Sequence, residues 1–182
     1  MNLPNRLSII RICSVPVLAL LLSLKDAVWA YYLALFVFIG AAITDFADGH
    51  IARKYNLVTN FGKFIDPVAD KLLVLSAMVL LIAHGLVPAW LVVAVLLREL
   101  AVDGLRLVAV EQGKVIAAGK LGKIKTTCQM VMVIAHLVYL CRFPFFHIIA
   151  GWLLIPSQIA VLVMTLWSGI DYFIRNKEVL HG

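Results

Sequence analysis

Long apolar stretches, separated by short polar or Pro/Gly segments, run along almost the whole chain. Each stretch is close to the roughly 20 residues that an α-helix needs to cross a bilayer. The pattern predicts helices near residues 7–24, 29–52, 66–84, 88–110, 121–141 and 147–174. We therefore expect an all-α integral membrane protein, with six transmembrane helices in one bundle and a single domain over residues 1–182.

Composition and charge agree with this expectation and suggest an orientation. Hydrophobic residues make up 63% of the chain, compared with roughly 45–50% in soluble domains. With six spans, fourteen of the 16 lysines and arginines fall on one side, and only Lys25 and Arg142 fall on the other. The positive-inside rule then places both termini in the cytoplasm. The basic charge is explained by topology, so we do not expect a nucleic-acid partner.

Four aspartates are concentrated between the second and third predicted helices. On helices, Asp45 and Asp48 are spaced i, i+3 and Asp66 and Asp70 are spaced i, i+4, so each pair shares a face. Carboxylates this close repel one another unless a cation lies between them. Solvated aspartates at the membrane surface are the alternative, but Asp45 lies inside an apolar pattern, where ionisable residues are costly. Oxygen ligands favour Mg²⁺, Mn²⁺ or Ca²⁺.

Two glycines and an arginine accompany the aspartates. Gly49 follows Asp48 directly, and Gly62 precedes Asp66 by four residues. Each leaves the backbone open to a bulky ligand, although a helix kink and a loop turn explain them equally well. Arg53 suits phosphate oxygens, and a membrane anchor at the positive side is its alternative.

Together these residues form the pattern D-x-x-D-G-x-x-A-R, eight residues, then G-x-x-x-D-x-x-x-D. Its fixed positions are Asp45, Asp48, Gly49, Ala52, Arg53, Gly62, Asp66 and Asp70. The pattern resembles the signature of the CDP-alcohol phosphotransferases, membrane enzymes that move a phosphatidyl group from a CDP-linked lipid to an alcohol and release CMP.

The resemblance carries further implications for this chain. It implies that the four aspartates hold two divalent cations, Mg²⁺ or Mn²⁺, and that Asp70 is also the general base. It assigns CDP binding to Gly49, Ala52, Arg53 and Gly62. It also implies a homodimer, a multi-pass location in the bacterial cytoplasmic (inner) membrane, and an active site that faces the cytoplasm.

A second polar region, residues 96–126, contains five cations near the cytoplasmic ends of the fourth and fifth predicted helices. They are Arg98, Arg106, Lys120, Lys123 and Lys125. They predict either a pocket for a second anion, the phosphate of a phosphorylated alcohol, or simple anchoring to anionic lipid.

Here the chain is similar to the bacterial phosphatidylglycerophosphate synthases, through "RELAVDGLRL", "LGKIKT", "NLPNRLSIIR" and "SGIDYF". This similarity implies CDP-diacylglycerol and sn-glycerol 3-phosphate as substrates. The acceptor phosphate is then assigned to Arg106, Lys123, Lys125, Arg98 and Thr126. Two nearby carboxylates complicate the choice, because Asp103 could pair with Arg98 or Arg106 and Glu99 with another cation.

Two alternatives stay open at this stage. A sister enzyme could use the same aspartates with serine, inositol phosphate or phosphatidylglycerol as the acceptor. A phosphorylated acceptor predicts dependence on the 98–126 cations, whereas serine or phosphatidylglycerol should depend on them less, or differently. A cation transporter could also place carboxylates in a helical bundle. Transporters, however, hold such groups near the bilayer midplane and often have inverted repeats, and neither feature is visible in this sequence.

Overall fold

The computed structural model describes residues 3–25, 27–54, 60–114, 116–117 and 119–179, without the side chains of residues 3–6, 45–54, 60–64, 66 and 67. Six α-helices and a short 3₁₀ turn form the described part, which contains no strand. They are α1 (Leu3–Ser23), α2 (Val28–Lys54), α3 (Asn60–Ala83), α4 (Ala89–Glu111), α5 (Lys120–Leu140), α6 (Phe146–Arg175) and the turn Lys177–Val179. The prediction of six helices in an all-α chain is confirmed.

The predicted helix boundary was least accurate at the start of α3, before Asp66. α2 ends at Lys54 and α3 begins at Asn60, so the predicted connection over residues 53–65 was too long. Gly62 lies within α3, and the loop-turn interpretation of this residue was wrong. The apolar pattern marks only the part of a helix that is buried in core or lipid, whereas both helices continue into polar sequence.

Local signals account for the ends of α3 and α4. α3 ends at Ala83, and Gly85 then adopts φ +69°, the left-handed conformation that glycine tolerates. Pro88, in an extended conformation, precedes α4. Gly113 follows α4 with φ +72°, and its N–H donates to the carbonyl of Val110. These turns reverse the chain between successive helices.

The helices pack around one large apolar core and one small cluster. α1 packs against both α2 and α3, and α5 packs against α6. The large core includes Leu18, Phe38, Met78, Leu91 and Met132. The small cluster joins the second half of α4 to the end of α6 and the 3₁₀ turn; it consists of Val102, Leu105, Ala109, Tyr172 and Val179.

In the described part of the chain, one helix, α6, is long and apolar enough to cross a membrane by length and composition. Most of its residues are not buried inside the protein. Shorter apolar segments occur at Leu7–Ser23 and Val28–Thr44. Large apolar side chains are exposed on several helices, and Trp152 reaches 80% exposure.

Candidate active site

A cavity of about 240 Å³ lies where the first turns of α5, the last turns of α6, the second half of α4 and the middle of α3 meet. Its polar lining consists of Asp70, Lys71, Arg98, Glu99, Asp103, Arg106, Lys123, Lys125, Thr126, Gln129 and Tyr172. All five residues predicted to bind the acceptor phosphate line this cavity. Asp70, the predicted base, lines it as well.

The other predicted site residues fall largely outside the described side chains. Asp45, Asp48, Gly49, Ala52 and Arg53 lie in α2, and Gly62 and Asp66 lie in α3, so only their backbone placement can be stated. Both aspartate pairs therefore lie on helices, as their spacing predicted. Among the described side chains no group of three or more His, Cys, Asp or Glu residues is placed to hold a metal ion.

Glu99 connects three helices at the cavity wall. This carboxylate is 6% exposed. It accepts hydrogen bonds from the Lys125 ammonium and from Arg98 Nη1, the latter at 3.1 Å, and its second oxygen lies 3.6 Å from Lys71 Nζ. A buried carboxylate is tolerated when several donors surround it. The Glu99 carboxylate therefore holds Lys71 of α3, Arg98 of α4 and Lys125 of α5 close together.

Asp103 does not have the partner that the sequence suggested. It forms an ion pair with Lys71 of α3, and not with Arg98 or Arg106. Arg98 is held by Glu99, while Arg106 donates from Nε to the Tyr172 hydroxyl at 2.9 Å. Lys71 reaches Asp103 across the contact between α3 and α4, which spacing along α4 could not indicate.

The charges that line the cavity leave a positive excess. Five cations face three carboxylates, a formal net charge of +2. Within the described residues, Arg106 and Lys123 have no carboxylate partner within ion-pair distance, and Lys123 is an exposed residue that lines the cavity. A phosphate monoester carries about −1.5 to −2 at neutral pH. The cavity is therefore suited to one such dianion.

Asp70 of α3 is held by an arginine of α1. Arg11 of α1, which is fully buried, donates to one of its carboxylate oxygens. The Asp70 carboxylate is about one-third exposed and borders the cavity. An ionised carboxylate beside a cavity can accept a proton from a bound hydroxyl group.

Two glycines lie beside the Arg98 side chain, and Gly169 leaves room for it. A Cβ added to Gly169 of α6 would lie 3.2 Å from Arg98 Cγ, and one added to Gly122 of α5 would lie 3.6 Å from Arg98 Nη2. These glycines belong to the stretches "SGIDYF" and "LGKIKT". Arg98 thus lies between α5 and α6, and the two glycines explain part of why those stretches are distinctive.

Sequence reasoning missed Gln129 and did not assign Lys71 or Tyr172 to the site. Gln129 lies one helical turn beyond Lys125, within the apolar run of α5. One sequence gives no signal that distinguishes such an amide from a packed core residue. Tyr172 gave none, because a tyrosine near the end of an apolar helix is equally typical of a membrane interface.

Comparison with known proteins identifies the family. The profile of the CDP-alcohol phosphatidyltransferases matches residues 1–168 of the 182-residue chain. The chain belongs to the CDP-alcohol phosphatidyltransferase family. The resemblance inferred from the aspartate pattern is confirmed, and the chain is an enzyme of this transferase class.

Curated relatives of this family member carry specific names. The CDP-diacylglycerol–glycerol-3-phosphate 3-phosphatidyltransferase of Bacillus subtilis is 41% identical, over 98% of this chain and 97% of its own length. The protein of the same name from Rickettsia typhi is 44% identical over 71% of this chain and 72% of its own. A probable phosphatidylglycerophosphate synthase of Mycobacterium tuberculosis is 39% identical over 100% of this chain and 84% of its own.

Proposed function

We propose that this chain transfers the phosphatidyl group of CDP-diacylglycerol to sn-glycerol 3-phosphate, giving phosphatidylglycerophosphate and CMP. The observation that carries the acceptor assignment is the cavity, where five cations and three carboxylates, Asp70 among them, leave a net charge of +2. Serine carries no phosphate to match that excess. Relatives that share about two-fifths of their residues with this chain, two of them over at least 97% of its length, carry names that state or match this reaction.

The acceptor phosphate is assigned to the cationic wall of the cavity. Arg106 and Lys123 offer charge that no described carboxylate neutralises. Lys125 and Arg98 are positioned by Glu99. Donation from cationic groups to phosphate oxygens gives short, strong hydrogen bonds. Thr126 lines the same wall, and its hydroxyl, which donates to the Gly122 carbonyl at 3.1 Å, would have to leave that bond to donate to a phosphate oxygen.

Asp70 is assigned the role of general base. In the proposed step, the Asp70 carboxylate accepts the proton of the 1-hydroxyl group, and the resulting oxygen attacks the phosphorus that bears diacylglycerol. A new P–O bond forms to glycerol phosphate, and the bond to the CMP oxygen breaks. General-base assistance of this kind contributes about 10²- to 10⁴-fold in rate.

Divalent cations complete the proposed site. Carboxylate oxygens are the ligands that Mg²⁺ and Mn²⁺ prefer, and Asp45, Asp48, Asp66 and Asp70 lie on helical backbones at spacings that put each pair on one face. When bound, two such ions supply neutralisation of the pyrophosphate charge. Gly49, Ala52, Arg53 and Gly62 are assigned to the CDP group.

The proposal includes six membrane spans, with both termini and the cavity on the cytoplasmic side. Support comes from the one-sided distribution of Lys and Arg, from α6, and from exposed apolar side chains such as Trp152, Phe36 and Leu107. α4 passes the length requirement, but Arg98 to Arg106 interrupt its apolar run because they serve the cavity. A homodimer in this membrane is also proposed, on the family resemblance.

The deciding experiment is CMP release by the purified protein in detergent, with CDP-diacylglycerol and Mg²⁺ or Mn²⁺. Glycerol 3-phosphate, serine, inositol phosphate and phosphatidylglycerol are offered separately. We expect release with glycerol 3-phosphate alone, and its loss in Asp70→Asn, which keeps a side chain of the same shape beside Arg11. Release with another acceptor overturns the acceptor assignment, and no release with any acceptor overturns the proposed reaction.

A further inference from the structure

Gln129 is a buried amide with an unused donor at the cavity wall. Its side chain is 3% exposed, and among the described residues its Nε2 atom has no hydrogen-bond partner. It lines the cavity, whereas the similarly unpaired hydroxyl of Thr165 does not. Buried polar groups in native proteins are almost always satisfied. A residue that lines a cavity while its amide nitrogen is buried and unpaired can satisfy that donor by turning the amide towards a ligand.

The neighbours of Gln129 narrow the choice of ligand group. On α5, Gln129 lies one turn beyond Lys125, an axial rise of about 6 Å. That separation is comparable to the length of a three-carbon chain between its phosphate and its hydroxyl groups. A phosphate held near Lys125 therefore leaves the carbon chain of the acceptor within reach of the amide.

The acceptor itself has one polar group without an assigned partner. Its phosphate has the cations of α4 and α5, and its 1-hydroxyl group has Asp70. The secondary hydroxyl has none. On the cavity side, the Thr126 hydroxyl donates to the Gly122 carbonyl, and the Tyr172 hydroxyl accepts from Arg106 Nε, so the proton of Tyr172 lies beside a cation that is already assigned to the phosphate. The amide of Gln129 is therefore the neutral polar group that is available to pair with the secondary hydroxyl.

We infer that Gln129 binds the secondary hydroxyl group of the acceptor and makes the enzyme specific for a glycerol phosphate over a simple hydroxyalkyl phosphate. This inference rests on the proposed function. In this inference Gln129 determines acceptor specificity and takes no part in proton transfer or phosphate binding.

The test is a cycle of two enzymes and two acceptors. Wild type and Gln129→Leu are assayed for CMP release with sn-glycerol 3-phosphate and with 3-hydroxypropyl phosphate, which keeps the primary hydroxyl and lacks the secondary one. We expect wild type to lose about 5- to 150-fold in kcat/KM with the deoxy acceptor, the range for leaving a buried donor unpaired. In Gln129→Leu the two acceptors should differ by less than about twofold.

A purely structural role gives a different result. If Gln129 only supports packing, Gln129→Leu lowers kcat/KM for both acceptors by the same factor and the wild-type ratio persists, which overturns the inference. Gln129→Met, which keeps the side-chain length, repeats the cycle where leucine disturbs folding. If the wild type releases no CMP with glycerol 3-phosphate, the proposed function and this inference are overturned together. If the wild type is active and the ratio of kcat/KM between the two acceptors is the same in Gln129→Leu as in the wild type, only the inference is overturned.

Discussion

Replacing Lys125 with methionine separates phosphate binding from membrane anchoring. Lys125 is 3% exposed and its ammonium is bonded to Glu99 at the cavity wall, whereas an anchor to lipid headgroups would be exposed. Methionine keeps an unbranched chain of similar length and removes only the charge. The loss should therefore appear where the acceptor phosphate binds.

The size of the effect follows from the contact that is lost. A hydrogen bond to a charged group contributes about 1.5–3 kcal/mol, which corresponds to about a 10- to 150-fold rise in KM for glycerol 3-phosphate. Glu99 keeps Arg98 at 3.1 Å and Lys71 at 3.6 Å. The variant should therefore lose less stability than the 3–5 kcal/mol typical of a buried charge stripped of its sole partner.

The assay is steady-state CMP release with each substrate varied in turn, together with thermal unfolding in the same detergent. The KM for CDP-diacylglycerol should not change. Lys120→Met is the matched control, because Lys120 begins the same helix, is exposed and does not line the cavity. If Lys125→Met and Lys120→Met leave the acceptor KM equally unaffected, the phosphate assignment is refuted and the anchoring alternative is favoured.

Two further predictions concern the glycine beside Arg98 and the divalent cations. Gly169→Ala should preserve or raise stability through helix propensity. It should nevertheless raise the acceptor KM several-fold, because its Cβ would lie 3.2 Å from Arg98 Cγ. Gly104→Ala is the control, since its Cβ meets nothing within 4 Å and should leave that KM unchanged. Equal KM values in the two variants would count against a role for Arg98 in acceptor binding. Chelation with EDTA should abolish CMP release and Mg²⁺ or Mn²⁺ should restore it, with full activity in EDTA as the contrary result.

The number and type of the helices were predictable because each one carries an apolar run of nearly fixed length. The start of α3 could not be predicted, since Asn60 and Gly62 lie in polar sequence that continues the helix without any apolar signal. Boundary errors of this kind arise where helix formation depends on local propensity and neighbours more than on burial.

The residues of the cavity were predictable only in part. The cations of α4 and α5 were identifiable because charge in an apolar run is costly and points to a use. The partner of Asp103 was not, since the Lys71 pairing depends on how α3 faces α4. Gln129 could not be distinguished from a packed core residue by one sequence, because the cavity that it faces exists only after four helices assemble.

Asp70 and Lys71 are consecutive residues of α3, so their side chains project about 100° apart around the helix axis. One is connected to Arg11 of α1, and the other to Asp103 of α4. Turning α3 about its axis in either direction would lengthen at least one of these ion pairs. The angular setting of the proposed base is thus fixed by two charges on neighbouring helices, and substrate would meet a carboxylate that is already oriented rather than one that must rotate into place.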